Sequence, residues 1–159
     1  MNKSNQLVVF LLNEQRYALY LTVVERVISA VEITLLPKAP DIILGVINFQ
    51  GKVIPVINIR RRFGITEREI ELTDQFIIAD TSKRTVALVV DDVSGVIEPV
   101  SDIVIDSENI TAGVKYVDGV VKLNDGMILI HDIDRFLSLE EENNLDSALG
   151  KKKAQRNIK

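Results

Sequence analysis

Displaced against itself by 69 residues, the chain lays apolar residues on apolar residues through two strand-like runs and the turn between them. Gln6 falls on Gln75, Val8-Val9 on Ile77-Ile78, Ala18-Leu19 on Ala87-Leu88, Leu21 on Val90, Val24 on Val93, and Val27-Ile28 on Val96-Ile97. A displacement of 74 carries the match further: Gly45-Val46-Ile47 falls on Gly119-Val120-Val121, Val56 to Ile59 on Ile130 to Ile133, and Arg61 on Arg135. Such self-similarity has two readings: coincidence among Val-rich strands, or two similar β units packed side by side. The second constrains the fold sharply. Small Val/Ile-rich sheets expose unpaired edges, and closing them into five-stranded barrels removes those edges. The seam between two such barrels would form an apolar groove.

The local pattern agrees with a mostly β chain. Apolar runs are short, rich in Val, Ile and Leu, and bounded by turn residues. Leu7–Leu12 reads as a buried strand, the stretch 13–16 as a polar turn, and Tyr17–Leu21 as the return strand. Thr22–Arg26 reads as a short turn and Val27–Leu35 as extended chain. Pro40 is placed to start one or two helical turns ending at Gly45. Val46-Ile47 and Val53–Ile59 read as strands around Asn48-Phe49-Gln50-Gly51. Pro55 cannot donate a ladder hydrogen bond, so its strand is expected to be an edge or to bulge there. Arg60–Gly64 is a helical turn and Thr66–Thr73 a connection. Gln75–Asp80 and Arg84–Val90 form a second hairpin, and Val96–Val100 is extended. Asn124-Asp125-Gly126 joins a third hairpin from Tyr116–Leu123 to Met127–His131. A helix is expected over 133–149, with Asp132 or Asp134 as cap and Gly150 beyond its end. These elements make one domain over 1–150, with subdomains at 5–70 and 71–136 and a basic tail at 151–159.

Composition excludes several classes. With 47% hydrophobic residues, 159 residues can bury a core. There is no cysteine, so neither disulfides nor thiolate metal sites are possible. No apolar run approaches a membrane span, and the first residues lack the pattern of a cleaved signal peptide. A net charge of −4 argues against nucleic acid as the main partner. The expected location is the cytoplasm. Lys151, Lys152, Lys153, Arg156 and Lys159 follow an acidic run at 140–142; they read as a solvated tail or, less simply, as a dock for an acidic partner.

The inventory for catalysis is thin. His131 is the sole histidine, in Ile130-His131-Asp132-Ile133-Asp134. His131, Asp132 and Asp134 could in principle hold a divalent metal for hydrolysis. Alternation along a strand turns His131 and Asp132 to opposite faces, which favours a structural histidine. Asp91-Asp92 diverge for the same reason and read as turn or solvated carboxylates. No glycine-rich phosphate loop and no nucleophile elbow occurs. No general acid, base and oxyanion site assemble, so no catalytic residue, metal or cofactor is assigned. Arg60-Arg61-Arg62 is the densest internal cationic cluster; it reads as a solvated rim or as an interface rim that steers an acidic partner.

The stretch Leu36-Pro37-Lys38-Ala39-Pro40-Asp41-Ile42-Ile43-Leu44-Gly45-Val46-Ile47-Asn48-Phe49-Gln50-Gly51-Lys52-Val53-Ile54-Pro55-Val56-Ile57-Asn58-Ile59-Arg60 resembles the hallmark of CheW-like chemotaxis coupling proteins. That pattern runs from a proline and a short helix through Gly-Val-x-Asn-Leu-Arg-Gly to a Val-Pro-Val strand ending in Asp-Leu-Arg. The hairpin from Phe10 to Leu21, Ala87-Leu88-Val89-Val90-Asp91-Asp92-Val93, and the last hairpin also match. The resemblance spans about residues 5–140. It implies two SH3-like five-stranded β-barrel subdomains with short helices and a non-catalytic adaptor role. The implied partners are the regulatory domain of a CheA-type histidine kinase and the helical cytoplasmic tip of chemoreceptors, at receptor arrays near the inner membrane. The implied receptor groove comprises Val24, Val27, Ile47, Asn48, Gln50, Gly51, Val90, Val93 and Val96. Gln50 stands where the family has Arg, and Asn58 where it has Asp. Gln lacks the charge and fork of a guanidinium. Alternatives are a generic SH3-like binding module in another sensory pathway, or a metal-dependent hydrolase.

Overall fold

The structure, a computed structural model, describes residues 6–98, 103–104, 117–123 and 126–150. In chain order the elements are β1 (Leu7–Leu12), β2 (Gln15–Tyr20), a 3-10 turn (Leu21–Val23), β3 (Val24–Ser29), β4 (Ile43–Phe49), β5 (Lys52–Ile57) and α1 (Ile59–Phe63). Then come β6 (Gln75–Asp80), β7 (Thr85–Val90), β8 (Asp92–Ile97), β9 (Ile103–Val104), β10 (Val117–Leu123), β11 (Gly126–His131), a second 3-10 turn (Ile133–Arg135) and α2 (Leu139–Ala148). The chain is mostly β, as expected, in two small sheets. One has the order β8-β1-β2-β11-β10-β9 and the other β3-β6-β7-β5-β4.

The duplication is real, and it holds to the register. β1 pairs with β2 as Val9 opposite Ala18, and β6 pairs with β7 as Ile78 opposite Ala87. β11 lies parallel to β2 with Ile130 opposite Ala18, and β5 lies parallel to β7 with Val56 opposite Ala87. Even the irregularities repeat. β4 bulges between Ile43 and Gly45, and β10 between Val117 and Gly119. Coincidence among Val-rich strands would not reproduce strand order, register and bulge together.

The sheets do not divide the chain near residue 70, however. β1 and β2 open the first repeat but complete their sheet with β8, β10 and β11 of the second, while β6 and β7 complete theirs with β3, β4 and β5. The repeats have exchanged everything after their first hairpin. Expected subdomains at 5–70 and 71–136 therefore describe the repeats and not the packed sheets. The reason is local: after β7 the chain crosses to the other sheet in a single residue, Asp91, whose N–H bonds Leu11 O at 2.9 Å.

This topology explains the unbroken apolar runs in β1 and β6, which are buried on both faces. Leu7 and Val9 fill the interior of one sheet with Ala18, Val121, Ile128 and Ile130. Phe76 and Ile78 fill the other with Ile47, Ile54, Val56 and Ala87. The alternate residues Phe10, Leu12, Tyr17, Leu19, Ile77, Ala79, Val86 and Leu88 turn to a third core between the sheets.

Local expectations change in places. The turn expected over Thr22–Arg26 ends at Val23, because Val24 and Arg26 already pair with Ala79 and Ile78 in β3. No helix follows Pro40; Ile43 N bonds Pro40 O as a single turn, and β4 starts at once because Ile43 pairs with Ile57. The helix expected over 133–149 is a 3-10 turn and then α2, Leu139–Ala148. Asp132 caps the first, accepting from Asp134 N, while Ser138 and Glu141 form a capping box at the second. Gly150 takes the left-handed position past its end (φ 77°). Pro55 lies in a strand flanked on both sides in sheet order, yet β7 pairs only with Val56 and Ile57, so no β7 ladder bond is lost at the proline. Pro99, Val100, the turn residues Asn124-Asp125 and the tail 151–159 lie outside the described residues.

Candidate functional site

β3 and β8 are equivalent strands of the two repeats, and each is the edge of its sheet. An extra residue enters both at the same place. Opposite Ala79 and Ile78 stand Val24 and Arg26, with Glu25 squeezed between them. Opposite Phe10 and Val9 stand Val93 and Gly95, with Ser94 between. The bulge resets the alternation, so residues three apart share a face. Val24 and Val27 lie opposite Ala79 and Ile77, and Val93 and Val96 opposite Phe10 and Val8. Ala79, Ile77 and Phe10 all face the core between the sheets. Val24, Val27 and Val93 pack on that core while half-exposed, and Val96 stands 53% exposed. The structure thus packs three of the sequence-assigned valines on the core between the sheets and leaves Val96 exposed on the same face of β8. Gln75 pins the seam: its side chain accepts from Val93 N at 2.8 Å.

The other assigned residues go elsewhere. Val90 is fully buried in the inter-sheet core, and Ile47, 3% exposed, lies inside the second sheet. Neither can touch a partner directly, because each occupies an inward position of its strand. Asn48, Gln50 and Gly51 form the β4–β5 turn. Asn48 accepts from Gly51 N at 3.2 Å, and Gln50 and Gly51 take positive φ (53° and 81°). Gln50 is exposed at its tip. At the β3 bulge, Glu25 is hydrogen-bonded to Asp80, and that contact, with a smaller push from desolvation, raises its pKa.

Of the three arginines only Arg61 keeps an exposed, rim-like position. Arg60 is buried and donates to Asn13 Oδ1 (3.0 Å), Thr66 O (2.9 Å) and Asp91 Oδ1 (2.6 Å). Arg61 pairs with Glu67 at 3.0 Å, and Arg62 with Glu141 at 2.5 Å. Helix α1 winds three successive arginines to three sides, each met by an acid. Asp91 also accepts from Arg68 (2.7 Å) and from Asn13 N (2.9 Å), and Arg68 grips Asp74 with both terminal nitrogens. Burial pushes the Asp91 carboxyl up, but the Asn13 N–H and the Arg60 and Arg68 guanidiniums outweigh it and hold it below the usual carboxylate range. Asp74 is lowered in the same way, desolvation being overcome by Arg68 and the Glu71 N–H.

His131 is buried among rings, stacked on Phe63 at 4.4 Å and tilted against Tyr17 and Phe136 at 5.4 and 6.0 Å. Asp132 caps its turn, and Asp134 accepts from Ser82 N at 2.7 Å. These groups do not converge, and no cluster of three metal-binding side chains occurs among the described residues. No helix among them is long and apolar enough to cross a membrane.

The comparisons with known proteins agree with this architecture. The chain is 33% identical to the scaffolding protein TtCheW from Thermoanaerobacter tengcongensis, whose crystal structure superposes with a TM-score of 0.77 over 87% of this chain and 95% of that one. It is 35% identical over 95 residues to the chemotaxis protein CheW of Thermotoga maritima, covering 60% of this chain and 62% of that protein. It is 30% identical over 96 residues to the chemotaxis protein CheW of Rhizobium meliloti, again spanning 62% of the relative's length. The sequence profile of the CheW-like domain matches residues 6–141, and the chain belongs to that family.

Proposed function

We propose that this chain is a non-catalytic chemotaxis adaptor that couples the helical cytoplasmic tips of chemoreceptors to the regulatory domain of a CheA-type histidine kinase. The observation that carries the reading is the seam: Val24, Val27, Val93 and Val96 share the inter-sheet face on two edge strands of a CheW-like fold. A receptor helix can lay apolar side chains against such a surface. The second partner needs its own surface, which a molecule of two sheets can supply. Signalling then needs shifts in partner geometry and no chemistry in the adaptor. Its place would be the cytoplasmic face of receptor arrays near the inner membrane. Gln50 in place of Arg removes a charge and a bidentate fork from the tip of the β4–β5 turn, so a contact through residue 50 rests on neutral hydrogen bonds.

The test is calorimetry with a receptor cytoplasmic fragment. Val27→Asp is expected to weaken binding about tenfold or more, since burying an unpaired carboxylate costs more than the lost apolar contact. Val27 is half-exposed on an edge strand, so the fold should persist. Unchanged receptor affinity in a folded Val27→Asp protein would exclude the seam as the receptor site. Failure of the unaltered chain to bind either a receptor fragment or a kinase regulatory domain would exclude the adaptor role itself.

A further inference from the structure

Away from the seam, past the far end of β3, four large apolar side chains stand exposed together: Val31 (45%), Leu35 (81%), Ile70 (37%) and Leu72 (96%). The other large exposed apolar residues, Val53, Val96, Met127 and Leu139, are spread over four different elements. A cluster of this kind on a small protein marks an interaction surface more often than chance exposure does. Its relief is particular. Leu35 and Ile70 border a hollow of about 510 Å³ floored by Ile33, Leu44 and Val89. Val31 and Leu72 border a second of about 370 Å³, and Ile33 and Ile70 line both. The result is one trough with two hollows.

The uncommitted charge around it is acidic. Glu32 and Glu71 line the second hollow, and Glu67 and Glu69 the first. Glu67 is engaged by Arg61 and Asn58, but Glu32 and Glu69 make no ion pair among the described residues. The cations lining the first hollow, Arg60 and Arg68, are committed to Asp91 and Asp74, and Arg68 also reaches the exposed Glu71 at 3.9 Å. No cation among the described residues lines the second. A ligand with an anionic head would be repelled, and an uncharged one would leave Glu32 and Glu69 unanswered.

We propose that this trough docks a basic segment of another protein, which inserts two aliphatic side chains into the paired hollows and lays lysine or arginine against Glu32, Glu69 and Glu71. The aliphatic anchors supply affinity and the charges supply orientation and a salt-sensitive encounter. The inference does not rest on the adaptor reading, since it uses a different surface.

The test uses the whole chain, amide NMR, and two synthetic peptides of equal aliphatic content, Lys-Leu-Lys-Ile-Lys-Leu-Lys and Glu-Leu-Glu-Ile-Glu-Leu-Glu. The lysine peptide is expected to shift the amides of 31–35 and 69–72, to bind about tenfold tighter than the glutamate peptide, and to weaken several-fold between about 50 and about 300 mM salt. Leu35→Ser with Leu72→Ser should cost about tenfold, and both side chains are exposed enough that the fold survives. Glu69→Lys with Glu71→Lys should reverse the preference between peptides. Equal binding of both peptides, or shifts confined to the acidic first turn of α2, would overturn the proposal. So would a change at these amides on deleting 151–159, which would make the chain's own basic tail the occupant. A dimer that depends on Leu35 and Leu72 would overturn it too, by assigning the trough to a second copy.

Discussion

Asp91 is the residue on which most depends. It is the single link between β7 in one sheet and β8 in the other, and its carboxylate gathers Asn13 from the first hairpin, Arg60 from α1 and Arg68 from the connection before β6. Read in sequence, Asp91-Asp92 is a pair of turn carboxylates and Arg60-Arg61-Arg62 a charged rim. Nothing in spacing couples residue 60 to residue 91, because the partnership exists only after the two sheets pack. Asp91→Asn keeps the shape but removes the charge that balances Arg60, whose side chain is only 10% exposed. We expect a loss of about 2–3 kcal/mol in denaturant unfolding, below the usual range for a broken buried pair because Asp91 stays 26% exposed. The pH dependence has a definite sign. The folded pKa of Asp91 and Asp74 lies below the unfolded value near 3.9. Their contribution is therefore complete above pH ~4 and fades as acid carries the carboxylates through their folded pKa. The stability gap between the natural protein and Asp91→Asn should be full at neutral pH and shrink in acid. A constant gap would mean that Asp91 acts through shape alone.

At the scale of elements, strands are the most legible part of the chain and helix ends the least. Period-two patterns and turn residues locate the hairpins at 7–20 and 75–90 because each strand's burial is dictated by its immediate pairing. The helix expected over 133–149 is too long because apolar residues continue through Phe136 and Leu137, both buried, although Ser138-x-x-Glu141 is itself a start signal. The bulges in β3 and β8 are invisible singly. Together they are encoded in the match of Val24 and Val27 to Val93 and Val96, which makes sense only if both strands break alternation at the same step. The β4 bulge has a sharper physical mark in Gly45. Its φ is 153°, and a Cβ there would stand 2.3 Å from Thr34 O and 2.6 Å from Ile33 Cγ2. Backbone is the obstacle, so the clash cannot be relieved by turning a side chain. Gly45→Ala should break the Thr34–Val46 bridge and destabilise the protein by about 2–4 kcal/mol. Amide exchange at Thr34 and Val46 should then quicken ahead of that in β6. Normal protection at both would refute the close-approach role.

The whole molecule is two interlocked repeats, and this is the step the repeat pattern alone cannot supply. Equivalent strands are evident from the offsets 69 and 74. Which copy each strand joins is not, since either partner offers the same apolar face. The choice follows from the crossover at Asp91, too short to return β8 to its own repeat's hairpin. Interlocking has a consequence for folding. A chain cut after residue 70 leaves β1 and β2 without β8, β10 and β11, and leaves β3, β4 and β5 without β6 and β7. Each fragment then exposes both faces of strands meant for a core, and neither can close a sheet on its own. The fragments 1–70 and 71–159 should each give collapsed amide dispersion alone and recover the native spectrum when mixed in equal amounts. If the repeats were instead side-by-side units, each fragment would fold alone and mixing would change little. The same interlock explains how a seam between sheets can serve as a fixed surface: both of its edge strands are anchored in the opposite repeat, so the two sheets cannot separate without unfolding.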